Sequence, residues 1–467
     1  MVRGVRRDDE DRDPPAGTAP GSLPEVVHSE TRFGANSVYC GRRNSIRTVD
    51  WARRMSFLAQ RFAVSRRLID SVDMRFQRYV MDRIDWNQRL IMITGMRGVG
   101  KTTLLLQRLK RAHADAPDRG LYVTADDVHL GDVRLVDLAE RFALDHAGRT
   151  LVIDEVHRSP DWARELKNVY DLLPDLHVIV TGSSYLDLAR GQHELARRVL
   201  TVQLPHLSFR EYLELEAGIR IAPMPLTELV ENHGLLSSQV VAALRDRDET
   251  VLARFNAYLE RGAYPYGLGT KTADLHAQIM SALQAVLYQD IPTTFGTGPT
   301  APATMQRLLA LVTGSEPYVP NVESMARALG ISKTTAYAYL DQLERSSILA
   351  FLPQARSGSA AVRKPAKIYL ATPTLYAAVA GVKGLQLSAG TLREAFFVSQ
   401  MVTEYPITAH KTADVRIGGE HPLVVEIGGP GKSQKQLPSH ARGILALDGL
   451  EHGLGPTVPL WTFGFVY

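Results

Sequence analysis

The hydrophobic positions of this chain fall into short unbroken apolar runs that alternate with stretches of helical spacing. Leu90-Ile-Met-Ile93, Leu121-Tyr-Val-Thr124, Leu151-Val-Ile153 and Val178-Ile-Val180 are such runs, and they predict strands at 90–94, 121–124, 150–154 and 177–181. Between and after them the spacing predicts helices near 101–114, 133–146, 161–172 and 184–190. Strands apolar on both sides must be covered on both sides, so the alternation predicts a parallel sheet between two layers of helices. Upstream, Met55, Leu58, Phe62, Leu68, Ile69, Val72, Phe76, Tyr79 and Val80 recur at helical intervals and predict one or two amphipathic helices between Trp51 and about Ile84. Residues 1–45 carry charge clusters, Pro14-Pro15 and no apolar periodicity, the composition of a disordered arm. Beyond the sheet, Phe209 to about Gly314 is mostly helical, broken by a polar loop and the turn Gly262-Ala-Tyr-Pro265. Residues 363–467 return to mixed α/β patterning.

Composition narrows the classes without naming one. A chain of 467 residues accommodates about three domains on the usual length prior. Hydrophobic residues make up 45% and charged residues 22%, as in ordinary globular proteins. No apolar stretch is long enough to span a bilayer, and the charged N-terminus is unlike a secretory signal. Cys40 is the single cysteine, so no intrachain disulfide forms, and a cytoplasmic location is expected. A net charge of +4 is compatible with nucleic acid but too small to argue for it.

The chemistry concentrates after the first apolar run, in Gly95-Met-Arg-Gly98-Val-Gly100-Lys101-Thr102-Thr103. This is a phosphate-binding loop between a strand and a helix. Its glycines (Gly95, Gly98, Gly100) let backbone N–H groups wrap a phosphate, and the helix N-terminus adds partial positive charge. Lys101 is expected to reach the β- and γ-phosphates, with the Thr102 hydroxyl on Mg²⁺ and Thr103 beside it. The expected ligands are ATP and Mg²⁺. Thr150-Leu-Val-Ile-Asp154-Glu155 follows about fifty residues after Lys101 and ends in two carboxylates. Asp154 is expected in the metal shell, and Glu155 to orient and deprotonate the attacking water. The next strand ends in Thr181-Gly-Ser183-Ser184, where Ser183 is a candidate sensor between phosphate and water, or a helix cap. In the pair Arg197-Arg198, Arg198 is the candidate to stabilise transferred charge in cis or trans. Asp154-Glu155-Val156-His157 also spells a helicase DExH box, but no second motor domain accompanies it, and His157 is expected behind the site or at the surface.

Read together, Gly95–Thr103, Leu151-Val-Ile-Asp-Glu-Val-His-Arg-Ser-Pro-Asp-Trp162, Val180-Thr-Gly-Ser-Ser184 and Pro205-His-Leu-Ser-Phe-Arg-Glu-Tyr212 resemble the prokaryotic AAA-type ATPases that carry a C-terminal domain of unknown function. The likeness continues more loosely through Tyr258-Leu-Glu-Arg-Gly-Ala-Tyr-Pro265 and Tyr288-Gln-Asp-Ile291. It implies an α/β fold, a P-loop parallel-sheet core with a helical lid, a winged helix-turn-helix and a C-terminal nuclease-like α/β domain. The corresponding boundaries are a core at 46–208, a lid region at 209–315, a winged helix at 316–362 and the last domain at 363–467. The family's Gly-Arg before the Pro-Leu-Ser-Phe segment corresponds to Arg197-Arg198, with the glycine lost. The family's last domain resembles the PD-(D/E)XK nuclease fold, whose Glu…Asp…Glu-x-Lys order maps to Glu394, Asp414 and Glu426. The lysine position is Gly428, and Lys432 or Lys435 from the following loop are the only near replacements. A nuclease-like fold with lost or weak catalysis is implied.

In 321–349, Met325, Ala326, Leu329, Ile331, Ala336, Leu340, Leu343 and Ile348 have the spacing of a small helix-turn-helix core, with Gly330 in the turn and Ser332 capping the second helix. Lys333, Thr334, Tyr337 and Asp341 then face outward. Arg356, Arg363, Lys364 and Lys367 are the cations a wing hairpin could offer a phosphate backbone. Three classes of function remain open: an ATP-driven motor or switch on DNA, a nucleotide-gated regulator that docks a protein partner, and an ATP-licensed nuclease.

Overall fold

The computed structural model describes residues 58–130, 133–182, 195–315, 319–354, 365–433, 437 and 442–467. The expected N-terminal arm, the helix expected at 184–190, Ser183, Arg356, Arg363, Lys364 and Lys435 lie outside these residues.

A first helix, α1, runs over 58–71 and packs beside the core. The core is a five-stranded sheet of β1 (Leu90–Thr94), β2 (Gly120–Thr124), β3 (Thr150–Asp154), β4 (His177–Thr181) and β5 (Leu200–Gln203). Its order is β2-β3-β4-β1-β5, and every pairing is parallel. All five residues of β1 are buried, which is why the strand reads as an unbroken apolar run. α2 (Lys101–Ala112), α3 (Leu135–Asp145) and α4 (Trp162–Leu172) are the crossover helices. The four predicted strands agree with these to within a residue. β5 was not among the predicted strands: at the sheet edge its Leu200 and Val202 are half-buried while Thr201 and Gln203 face solvent, so no continuous run marks it.

Inserting β4 between β1 and β3 breaks the sequential order of the sheet. The carboxyl ends of β1, β3 and β4 therefore lie side by side, at the kind of crevice where open parallel sheets bind ligands.

The helical segment comprises α5 (Phe209–Ala217), α6 (Leu226–Arg245), α7 (Val251–Ala257), α8 (Thr272–Ala285), α9 (Ile291–Phe295) and α10 (Ala301–Thr313). Single π-turns, Tyr258–Gly262 and Val286–Asp290, lie at the end of α7 and between α8 and α9. α11 (Val322–Leu329) and α12 (Lys333–Arg345) follow, then the antiparallel pair β6 (Leu349–Pro353) and β7 (Pro365–Leu370). Gly330 turns at φ 68° and the Ser332 hydroxyl caps α12 by accepting from Thr335 N at 3.0 Å. The apolar positions expected to form this small core are buried, apart from Ile331, which packs partly buried against it.

α13 (Pro373–Lys383) and α14 (Ala389–Met401) lead to a second sheet of β8 (Ile407–Ala409), β9 (Val415–Ile417), β10 (Leu423–Gly428), β11 (Gly443–Leu447) and β12 (Thr457–Pro459). Its order is β12-β11-β10-β9-β8, with β8-β9-β10 antiparallel and β10-β11-β12 parallel. Phe396 and Phe397 of α14 and Trp461, Phe463 and Phe465 after β12 are fully buried. No helix among the described residues is long and apolar enough to cross a membrane.

Candidate functional site

The loop after β1 has the backbone that its glycines require. Gly95, Gly98 and Gly100 take φ of 152°, 87° and 95°. A Cβ on Gly95 would lie 2.5 Å from the Leu204 carbonyl oxygen, so any larger residue would part the loop from the segment after β5. Lys101 opens α2 and is 5% exposed. Its ammonium donates to the carbonyls of Gly95 at 2.8 Å and Met96 at 3.3 Å, bridging the two ends of the loop. Burial pulls its pKa down, against the pull of Glu155 and Asp154. Thr102 and Thr103 lie exposed on the first turn of α2.

The Thr102 hydroxyl donates to Asp154 Oδ2 at 2.6 Å. This contact joins the loop to the end of β3 and sets two hard oxygen donors side by side, a donor set that suits Mg²⁺. Two further hydroxyls hold the same carboxylate. Tyr122, one strand over on β2, donates to Oδ2 at 2.8 Å, and Thr181 at the end of β4 donates to Oδ1. Thr181 also accepts from the Glu155 backbone N–H at 2.9 Å. Burial and the Asp154 charge push the Tyr122 hydroxyl pKa up, so it stays a donor.

Glu155 sits at φ 51°, ψ 43°, a left-handed conformation that a glutamate adopts only when its neighbours hold it there. Burial raises its carboxyl pKa, only partly offset by Lys101. His157 Nδ1 lies 3.4 Å from Glu155 Oε2. Burial drops the imidazole pKa to about 4, so the pair is a neutral ring beside a carboxylate and not an ion pair at neutral pH. His157 is thus behind the site, with its side chain 8% exposed.

A third layer props the loop from outside. Ser208 and Glu211 form a capping box at the start of α5. Glu211, fully buried, also accepts from Arg78 Nε at 2.9 Å and from Tyr79 N at 2.9 Å. Arg78 in turn donates to the carbonyls of Val99 at 2.7 Å and Pro205 at 2.8 Å. The Pro205–Tyr212 segment therefore acts on the phosphate loop through Arg78, a residue that local sequence patterning did not single out.

Among the expected site residues, Gly95, Gly98, Gly100, Lys101, Thr102, Asp154 and Glu155 come together, and Thr103 lies on the same helix turn. Thr181 holds Asp154 and Glu155, whereas Ser183 lies outside the described residues. The Arg198 guanidinium bonds Asp171 of α4 at 3.0 and 3.1 Å and lies 5.9 Å from the Tyr170 ring.

The C-terminal carboxylates also meet, but around lysines. Lys367 donates to Glu394 at 2.6 Å and Asp414 at 3.2 Å, and Tyr369 donates to Glu394 at 2.6 Å. Lys432 bonds Glu426 at 2.5 Å and the Ile427 carbonyl at 3.1 Å. Burial opposes the charge on Lys367, yet the two carboxylates raise its pKa on balance. A Cβ on Gly428 would lie 2.4 Å from Lys432 Cδ, so the loop lysine fills the space beside the position where the motif's lysine is missing. Lys367, expected on a wing surface, is instead tied into this cluster. Two ammonium groups sit among the acids, and no group of three or more His, Cys, Asp or Glu among the described residues is arranged to hold a metal.

Residues 87–213 match the AAA domain family, so this part of the chain is similar to AAA domains. Residues 252–386 match a domain of unknown function, DUF8612, spanning the later helical segment, α11–α12 and the β6–β7 pair. An uncharacterized protein of Methanocaldococcus jannaschii is 30% identical over 288 residues. The match covers 60% of this chain and 60% of that protein. Solved structures overlap at a distance. A Walker-type ATPase of Pyrococcus abyssi has 13% identity and a TM-score of 0.38 over 65% of this chain and 95% of its own. AMPPCP-bound DnaA of Aquifex aeolicus has 17% identity and a TM-score of 0.24 over 57% of this chain and 84% of its own.

Proposed function

We propose that this chain is a Mg²⁺-dependent ATPase whose nucleotide state is passed through the helical segment to the C-terminal half. One observation carries the reading: the 2.6 Å hydrogen bond from Thr102 to Asp154, with Glu155 held in a left-handed turn immediately beyond. Bound Mg²⁺ would neutralise phosphate charge at Thr102 and Asp154. Lys101 exchanges its bonds to the Gly95 and Met96 carbonyls for phosphate oxygens. Glu155 accepts the proton of the attacking water, and its raised pKa makes it a better base than a solvated carboxylate. His157 stays neutral and keeps water from the far side of that carboxyl.

The target of the switch is DNA or a protein. The helix-turn-helix spacing and the β6–β7 pair support a winged helix, and exposed Lys333, Thr334 and Asp341 would face DNA, whereas Tyr337, expected to face outward, packs partly buried against the core. Lys333 is paired with Glu323 at 3.1 Å, and Lys367 is withdrawn into the carboxylate cluster. These two losses shift the balance toward a nucleotide-gated module that docks a protein. ATP turnover with and without DNA separates the two: stimulation by DNA supports a motor or switch on DNA, indifference supports protein docking. Lys101→Ala is expected to abolish tight ATP binding. Glu155→Gln should keep binding while slowing hydrolysis by at least about a hundredfold. Unchanged turnover in Glu155→Gln would refute the assignment.

A further inference from the structure

The phosphate loop is gripped by the helical segment at two neighbouring residues. Arg97, between Met96 and Gly98, forms a two-pronged pair with Asp290: Nε to Oδ2 at 3.1 Å and Nη2 to Oδ1 at 3.0 Å. The Asp290 side chain is 2% exposed and ends the π-turn Val286–Asp290, immediately before α9. Arg158, three residues beyond Glu155, reaches the same carboxylate at 3.7 Å. One buried acid therefore holds an arginine from each of the two catalytic loops. Next door, the Tyr266 ring covers Gly98, where a Cβ would lie 2.2 Å from its Cε1. Both contacts come from the part of the chain matched by the domain of unknown function.

The seam around Asp290 is not closed. With His157, Arg158, Trp162 and Thr293 it lines a cavity of about 480 Å³, room for side chains to exchange partners. A guanidinium fork fits a carboxylate and a phosphate almost equally well, so a phosphate entering the loop competes with Asp290 for Arg97.

We propose that Arg97 is a second in-chain cationic contact, beside Lys101, to the third phosphate of the bound nucleotide, and that Asp290 is the positioning residue that presents it. In this structure Asp290 holds the guanidinium against the helical segment. A triphosphate takes over part of that fork, while a diphosphate ends too soon to do so. The helical segment thereby distinguishes ATP from ADP. This rests on the ATPase reading above.

The experiment uses the full chain and measures affinities for ATP and ADP in a Glu155→Gln background, and turnover in the otherwise native chain. Arg97→Ala should lower the ATP-over-ADP preference at least about tenfold with ADP affinity nearly unchanged, and cut turnover about a hundredfold or more. Arg97→Lys should recover part of both. Asp290→Asn should slow turnover in the native chain and cost much less in an Arg97→Ala background, because most of its effect passes through that arginine. Should a single variant unfold with one charge left buried, the Arg97→Ala/Asp290→Asn double variant removes both and must still lose the ATP preference. Retention of native nucleotide preference and turnover by Arg97→Ala would overturn the inference, as would an equal cost of Asp290→Asn in both backgrounds. A native chain that binds neither nucleotide would sink the ATPase reading before any variant is compared.

Discussion

Thr181→Val tests how the active-site backbone is held. Valine keeps the volume and β-branching of threonine in a fully buried strand position, so packing changes little. The lost hydroxyl leaves two groups without a partner. Asp154 Oδ1 loses one donor, and the Glu155 N–H loses its acceptor, Thr181 Oγ1 at 2.9 Å. A hydrogen bond involving a charged group contributes about 1.5–3 kcal/mol. Holding a non-glycine residue in the left-handed region costs about 1–3 kcal/mol. These are of similar size, so without Thr181 the Glu155 turn is no longer held and relaxes toward ordinary backbone angles. Each 1.4 kcal/mol lost from the productive geometry is a factor of about ten, which predicts turnover down about 10- to 100-fold. ADP affinity should change little, since Lys101 and the glycine loop are untouched. Phosphate release at saturating ATP, ADP titration and thermal unfolding on the same preparation make the measurement, with Thr181→Ser as the variant that keeps the hydroxyl and should stay near native. If folded Thr181→Val turns over at the native rate, Thr181 does not hold Glu155 and the argument fails.

His157 supplies a stability prediction with a definite sign. Its folded pKa of about 4 lies below the ordinary imidazole value of 6.5, so its contribution is complete above pH 6.5 and is lost as pH falls toward 4. That difference corresponds to about 3 kcal/mol. Urea unfolding at pH 7.5 and pH 5 should show a drop that His157→Gln reduces, and an equal drop in both chains would contradict it. The C-terminal cluster should leave plasmid DNA uncut, or nearly so, with Mg²⁺ and ATP, because Lys367 and Lys432 neutralise the carboxylates a metal would need. Efficient cutting lost in both Glu426→Ala and Lys432→Ala would show instead that the loop lysine serves in place of the one missing at Gly428. Gly428→Lys is the weaker restoration, since its side chain would meet Lys432.

Much of the candidate site was legible in the chain because its signals are local. Glycines at 95, 98 and 100, a lysine and threonine opening a helix, and two carboxylates ending an apolar strand each declare themselves within a few residues. The four central strands are readable for the same reason, since burial on both faces leaves a continuous apolar run. The half-buried edge strand β5 has no such run and escaped notice. What the tertiary structure alone decided is which side chains face one another across that local framework. Tyr122 reaches Asp154 only because β2 lies beside β3, and Thr181 reaches it only because β4 is inserted between β3 and β1. Arg78 finds Glu211 and Arg97 finds Asp290 across 133 and 193 residues of chain, distances at which periodicity carries no information. Lys367 shows the same limit from the other side. Its place after a basic stretch suggested a surface cation, but the packing of β7 against α14 and the second sheet turned its ammonium onto Glu394 and Asp414. Local spacing sets backbone conformation and burial, whereas the partner of a long polar side chain is set by strand order and domain packing.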